Sequence, residues 1–353
     1  MQLKINKFYY FIVICLLVSC TSTYIKNKNA DTLKVDDVLS KDVVITEYKE
    51  GERTVIVLPT AQPTPTPILP ITQNLVDKRN KKSKRSTAPI VSPTATPTLI
   101  PLVRLPEFES NVGFPTGSRR PFLDPFQVNE KVVLEVSYFK AVAGELGMEV
   151  KPFMQVNGRK SYRFLTTLRT TGFFENLYTI NDWADTLVDY DTLVPSVYNL
   201  NVNEKSQIKQ GKGFFDPVTL EARYHEKRYT EKNGNEEKNQ KWTMLAYSQN
   251  VYSAAFYMRI FDYEVGKEYS FNVAHDDKNI LFKGKCLRKE KLETSAGVFN
   301  TLVVQPKFEI GGVFKPMGDI FFWLTDDDRK FIVKIEADIR IGTLVAEAIS
   351  VEK

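Results

Sequence analysis

Three kinds of residue in this chain could do chemistry. Histidine is scarce: only His225 and His275 occur. His225 lies on the polar side of "LEARYHEK", beside Glu221, Arg223 and Lys227. His275 opens the turn "AHDDK". Neither stands at a metal-ligand spacing, and HExxH, GxSxG, P-loop and CxxC patterns are absent, so both read as surface or structural histidines. Carboxylates are more numerous. Asp182, Asp185, Asp189 and Asp191 could supply the pair that glycoside hydrolysis needs, but spacing alone places no two of them face to face. Asp326, Asp327 and Asp328 lack the alternating ligand order and distal Glu of a calcium loop and read as a solvated turn. The expectation is therefore no catalysis, no metal and no cofactor. Of the cysteines Cys15, Cys20 and Cys286, Cys286 in "KGKCLRKE" reads as a small apolar core residue.

Cys20 has a different setting. Lys4 and Lys7 precede an apolar run, "FYYFIVICLLV" (8–18), too short to span a bilayer but of signal-peptide size. Leu17-Val18-Ser19-Cys20 resembles the lipobox of bacterial lipoproteins. In that family the thiol receives diacylglycerol, the chain is cut before the cysteine, and the new amine is acylated. Each buried CH₂ contributes about 0.8 kcal/mol, so three chains hold far more firmly than one. The resemblance implies a signal peptide at 1–19 and an acylated Cys20. Thr21 rather than Asp follows, which by the enterobacterial sorting rule points to the outer membrane, facing the periplasm. With Cys15 removed and Cys20 acylated, no disulfide framework is left.

Residues 20–125 predict a Pro-rich basic linker rather than a domain. Thirteen of 18 prolines fall at or before Pro125, many in "PTAQPTPTPILP" and "PIVSPTATPTLIPLVRLP"; such segments favour extended polyproline II and build no core. The run "KRNKKSKR" (78–85) would meet anionic headgroups or envelope polymers by charge, or act as a solvated spacer. A hairpin is predicted at 43–58, either added to the edge of the main sheet or transient. As a flexible coil the linker would reach about 55 Å r.m.s., and roughly 300 Å if fully extended.

Residues 126–353 alternate apolar and polar side chains. "VKIEADIRI" (333–341), "TLVVQPKFEI" (301–310) and "KVVLEVSYF" (131–139) predict half-buried antiparallel strands, with Pro306 marking an edge or bulge. About a dozen such runs, separated by turns such as "VNGRK" and "HDDKN", predict an all-β body: a large curved antiparallel sheet or partly open barrel. One short helix is predicted at about 248–261, where Val251, Ala254, Ala255, Met258 and Phe261 make a stripe. A shorter one is predicted at "GFFENLY" (172–178).

Within the body "AVAGELGMEV", "TTGFFENLYTINDWADTLVDYDTLVP", "YSAAFYMRIF", "AGVFNTLVVQPKF" and "GDIFFWLTDDDRKFIVKIEADIRIGTLVAE" resemble the ordered landmarks of an exported bacterial family, domain-of-unknown-function family 3108, over roughly 128–350. The resemblance implies an exported β-rich domain with no established activity and no catalytic residues to carry over.

Aromatic residues are the remaining signal, 12% of the chain. Phe173, Phe174, Trp183, Phe256 and Tyr257 are the candidate lining of a site for an apolar or amphipathic ligand such as a lipid, as in barrels that hold one small molecule. Core packing is the competing reading of the same rings. The alternatives are an envelope scaffold using tether reach and an exposed strand edge, and a glycan-directed hydrolase. Residues 1–120 carry 17 Lys and Arg against 10 Asp and Glu, the remainder 31 against 33. The body thus lacks the basic footprint of a nucleic-acid-binding domain.

Overall fold

A computed structural model describes residues 43–50, 119–311, 313–315, 319–339 and 342–353. The described residues all fall in one of the chain's two units, Met1–Thr54 with Leu105–Lys353; the other, Val55–Arg104, lies outside them. So do the predicted signal peptide, Cys20, the basic run 78–85, most of the linker, the second half of the predicted hairpin, and the last two residues of "VKIEADIRI".

Sixteen strands and two short helices follow one another as β1 (Ile45–Glu47), β2 (Lys131–Tyr138), β3 (Ala141–Val156), β4 (Arg159–Thr170), α1 (Phe173–Leu177), β5 (Asn181–Asp189), β6 (Pro195–Glu204), β7 (Gln207–Asp216), β8 (Glu221–Thr230) and β9 (Gly234–Thr243). Then come α2 (Val251–Tyr257), β10 (Glu268–His275), β11 (Lys278–Thr294), β12 (Gly297–Ile310), β13 (Val313–Lys315), β14 (Ile320–Thr325), β15 (Ile332–Asp338) and β16 (Thr343–Glu352). All belong to one antiparallel sheet, ordered β10-β11-β12-β14-β15-β16-β2-β3-β4-β5-β6-β7-β8-β9. β1 adds to β3, and β13 to β12. Alternation sets the two faces: β2 and β6 bury nearly every second side chain. The turns are those the sequence demands. Asn157 and Gly158 both take positive φ in the two-residue β3–β4 connection, as do Asp276 and Asp277 between β10 and β11.

The ladder does not close, because β9 and β10 are not paired. The chain between them draws the two ends together instead. Gln249 bridges to Val273 in parallel, and its amide donates to Asn272 O at 2.8 Å. Asn279 Nδ2 donates to Thr243 O at 3.0 Å, and Lys238 pairs with Asp276. The result is a half-open barrel.

α2 fills its concavity. Asn250 caps the helix, accepting from Tyr252 N and Ser253 N, while Ser253 Oγ accepts from Asn250 N. Phe256 stacks on Phe164 with centroids 4.3 Å apart, and Tyr257 meets Phe271 edge-on at 5.1 Å. Both helix residues belong to the main core, with Val150, Tyr162, Phe282, Cys286 and Leu324. The Cys286 thiol is free and buried, and burial pushes its pKa up. Beyond the helix Tyr198 lies flat over Gly213: a Cβ there would stand 2.0 Å from the ring, so only glycine fits. A second core forms where the long β11–β12 hairpin folds over β14–β16 and β2, burying Leu134, Val303, Trp323, Phe331 and Ala348.

Two local readings of the sequence acquire reasons here. Pro306 faces Gly284 of β11, and among the described residues β14 pairs with Thr301–Val304 and β13 with Phe308–Ile310, so neither ladder includes Pro306. Pro306 thus sits at a local edge, where its missing N–H costs nothing. In β15 the predicted alternation slips. A register shift between Trp323 and Leu324 turns the strand at a corner, and Ile332 and Val333 are both buried, in different cores.

Candidate functional site

The sheet has two ends. The β3–β4 turn, residues 189–194, the 216–220 turn and the incoming chain at Arg119 and Arg120 share one end. The β2–β3 turn, α1 and the β6–β7 turn share the other, as the antiparallel order requires. Apolar side chains stand exposed at both ends: Phe122, Leu123 and Val218 at the first, and a larger set at the second. Phe173 is 76% exposed, Phe139 65%, Leu177 49% and Trp183 39%, and Val142 is exposed beside them in sequence.

Local structure explains why these side chains stay out. Phe139 and Lys140 form a tight turn with φ 49° and 62°, which leaves the Phe139 ring lying over Gly342 with its outer face in solvent. α1 buries no residue of its own. It is held from below: Lys205 Nζ donates to Leu177 O at 2.9 Å, Tyr178 Oη to Glu204 Oε2 at 3.0 Å, and Lys205 N to Thr179 O at 2.9 Å. The rings of Phe173 and Phe174 meet edge to face at 5.9 Å.

Of the five aromatic residues singled out by sequence, Phe173, Phe174 and Trp183 therefore lie at this rim. Phe256 and Tyr257 lie in the packed interior, 1% and 3% exposed. Phe139, Val142 and Leu177 escaped notice. The signal for Phe139 was an aromatic residue in the turn "YFK", past the end of the alternating run of β2.

Beneath α1 lies a buried carboxyl pair. Asp182 and Glu204 are nearly inaccessible, and each acts on the other's ionisation. Asp182 Oδ1 also accepts from Asn203 N at 2.8 Å, and Glu204 Oε2 from Gln207 Nε2 at 2.9 Å. Burial, and then the Glu204 charge, push the Asp182 pKa up from 3.8 to about 7. Two interacting buried carboxyl groups resist ionising together. The other acids have separate work. Asp185 pairs with Arg163 at 2.7 Å. Asp189 pairs with Arg159 and accepts from Asp191 N and Thr192 N, closing the 189–194 turn.

Glycosidases hold their carboxyls about 5–9.5 Å apart with room for a sugar or water; a pair this buried leaves no such room. Its expected signature is one of stability. Since the folded-state pKa lies above that of the unfolded chain, ionising Asp182 costs stability. The cost is absent below about pH 4, grows between pH 4 and 7, and is complete above that. Asp182→Asn should therefore stabilise the protein by an amount that grows from pH 4 to 8, reaching roughly 1–3 kcal/mol. Urea midpoints of variant and parent at pH 4, 6 and 8 measure it. An equal gain at every pH would mean that Asp182 does not resist ionising.

The histidines stay apart from both features. His225 Nδ1 contacts Asn239 Oδ1. Burial lowers the His275 pKa to about 4. Asp327 Oδ1 accepts from Arg329 N and Lys330 N, so it closes its turn. Among the described residues no cluster of three or more His, Cys, Asp or Glu is arranged to hold a metal ion.

Three solved structures match this chain at low similarity. One is a β-barrel-like protein of the domain-of-unknown-function family DUF1849 from Brucella abortus, 9% identical over 64% of this chain and 98% of its own, with a TM-score of 0.41. Another is a proposed exported protein with a YmcC-like fold from Bacteroides fragilis, 10% identical over 66% and 99%, TM-score 0.31. The third is a proposed lipoprotein from Parabacteroides distasonis, 9% identical over 64% and 96%, TM-score 0.29. No curated protein matches the chain. The family model of a protein of unknown function, DUF3108, matches residues 133–349, from within β2 to within β16, and the chain belongs to that family.

Proposed function

We propose that this is an acyl-anchored cell-envelope protein whose half-open barrel binds an amphiphile, a lipid with a free acyl chain, at the rim formed by α1 and the β2–β3 turn. The signal-peptide pattern ending at Cys20 supports the anchoring. The outer membrane, with the body in the periplasm, is the compartment that Thr21 favours. The observation that carries the binding reading is the exposure of apolar side chains around α1 and the β2–β3 turn beside a filled interior. The interior is filled by α2, while Phe173, Phe139, Leu177 and Trp183 are left in water at one end. Exposed apolar side chains collected in one place mark an interaction site.

Lysophosphatidylglycerol, titrated below its micellar concentration onto the full chain carrying Cys20→Ser, should form a one-to-one adduct in native mass spectra. Phe173→Asp with Leu177→Asp should weaken it by tenfold or more, about 1.4 kcal/mol or above. No adduct, or an adduct indifferent to both substitutions, would overturn the reading.

Strand addition at a free sheet edge is less well supported. β9 lines its edge with Glu236, Lys238 and Lys241, the charged guard that discourages pairing. No catalysis is proposed. The basic run at 78–85 would add charge attraction to anionic headgroups or polymers.

A further inference from the structure

β1 is three residues long, and so short a strand does not hold by its ladder alone. Its neighbours hold it. Asn157 grips Val44 twice, its Oδ1 accepting from Val44 N and its N donating to Val44 O, both at 2.8 Å. Val43 and Ile45 pack on the outer-face cluster of Val156, Leu187, Val197 and Phe214. Tyr48 meets Phe153 edge-on at 5.9 Å, with Lys160 Nζ 4.9 Å from its ring centre. The chain then returns at the same end of the barrel. Arg120 donates to Tyr190 O at 2.5 Å, its guanidinium 3.9 Å above the Tyr190 ring.

We infer that β1 is a clasp: docked on β3, it shortens the leash from Cys20 to the 22 residues 21–42 and turns the β3–β4 end of the barrel toward the anchoring membrane. This rests on the proposed acylation of Cys20. Residues 51–118 then join two points at one end of the body and contribute nothing to reach. A leash of 22 residues spans at most about 75 Å, and about 26 Å r.m.s. as a flexible coil, against about 55 Å for a leash running to Arg119. β4 has 12 residues and is about 40 Å long. The short leash is comparable to the body itself, so the two ends of the barrel sit at different heights and the α1 rim points away from the anchor.

The test uses the full-length acylated protein in phosphatidylethanolamine–phosphatidylglycerol vesicles carrying an acceptor dye among the headgroups. A donor is placed at Thr219→Cys, at the clasp end, or at Asn176→Cys, on α1. Energy transfer should be at least twofold higher from position 219. Ile45→Asp with Thr46→Pro should abolish that difference and lower transfer from 219. Equal transfer from both positions, or a pattern unmoved by the double variant, would overturn the clasp. A second arm needs no membrane: Ile45→Cys with Val156→Cys, which are cross-strand partners, should form a disulfide in nearly all molecules. Its failure to form also overturns the clasp. Failure of the protein to float with the vesicles would instead overturn the anchoring, and the disulfide alone then decides whether β1 docks.

Discussion

Glu130→Ala is expected to cost about 3–5 kcal/mol of stability. Glu130 lies at the start of β2 and is almost wholly buried, as is Arg259 in the turn that continues α2. The carboxylate accepts from Arg259 Nη1 at 2.6 Å, from Gln127 N at 3.1 Å, and from Arg329 Nη2. Arg259 Nη2 donates to Pro125 O at 2.7 Å and Nε to Arg329 O at 2.9 Å. The guanidinium carbon lies 5.0 Å and 4.8 Å from the ring centres of Phe126 and Phe331.

Deleting the carboxylate leaves a desolvated cation with carbonyl partners only. Coulomb attraction that had offset the cost of burying Arg259 is then gone. Because Arg259 ties the α2 plug to β2 and to the β14–β15 turn, the loss should show as a lower urea midpoint and a melting temperature about 10 °C lower or more. Glu130→Gln, which keeps an acceptor but no charge, should fall between parent and Glu130→Ala. A loss below 1 kcal/mol would mean that Arg259 finds water once its partner is gone.

Phe256→Ala should cost about as much, roughly 3–5 kcal/mol, through the cavity left opposite Phe164. The two rings are parallel to within 2° and both are buried. Nothing large stands ready to move into the space. The same substitution should leave the affinity for lysophosphatidylglycerol within about twofold, since the rim lies at the far end of α1 and shares no side chain with this contact. Phe173→Asp should behave in the opposite way. It should shift stability by less than about 0.5 kcal/mol, as surface substitutions do, and reduce binding. Urea unfolding and native mass spectrometry on the same two proteins separate the effects. Weakened binding with unchanged stability in Phe256→Ala would place the ligand in the interior after all.

The rim and the interior also show how far the sequence could be read. The strands and both helices were legible because alternation and 3.6-residue periodicity are local. The helix predicted at about 248–261 folds as α2 and one further turn, and "GFFENLY" as α1. The turns at Asn157-Gly158 and Asp276-Asp277 were legible because positive φ selects those residues. What periodicity cannot give is which face of a strand looks into the barrel once bulges intervene. The shift at Trp323/Leu324 buries Ile332 and Val333 together. Nor could it separate the aromatic residues by role. Phe256 and Phe173 each sit in a short helical run, and what distinguishes them is that α2 is threaded into the concavity while α1 lies across an end.

Family membership, the all-β body and the lipobox-like run ending at Cys20 were all carried by the chain's own order of residues, since each depends on near neighbours. The carboxyl pair of Asp182 and Glu204, the Glu130–Arg259–Arg329 network and the seat of β1 on β3 were decided only by tertiary structure. Their partners stand between 22 and more than 100 residues apart in the chain. Only the closing curl of the sheet brings such partners together, and with it decides which rings are core and which meet solvent.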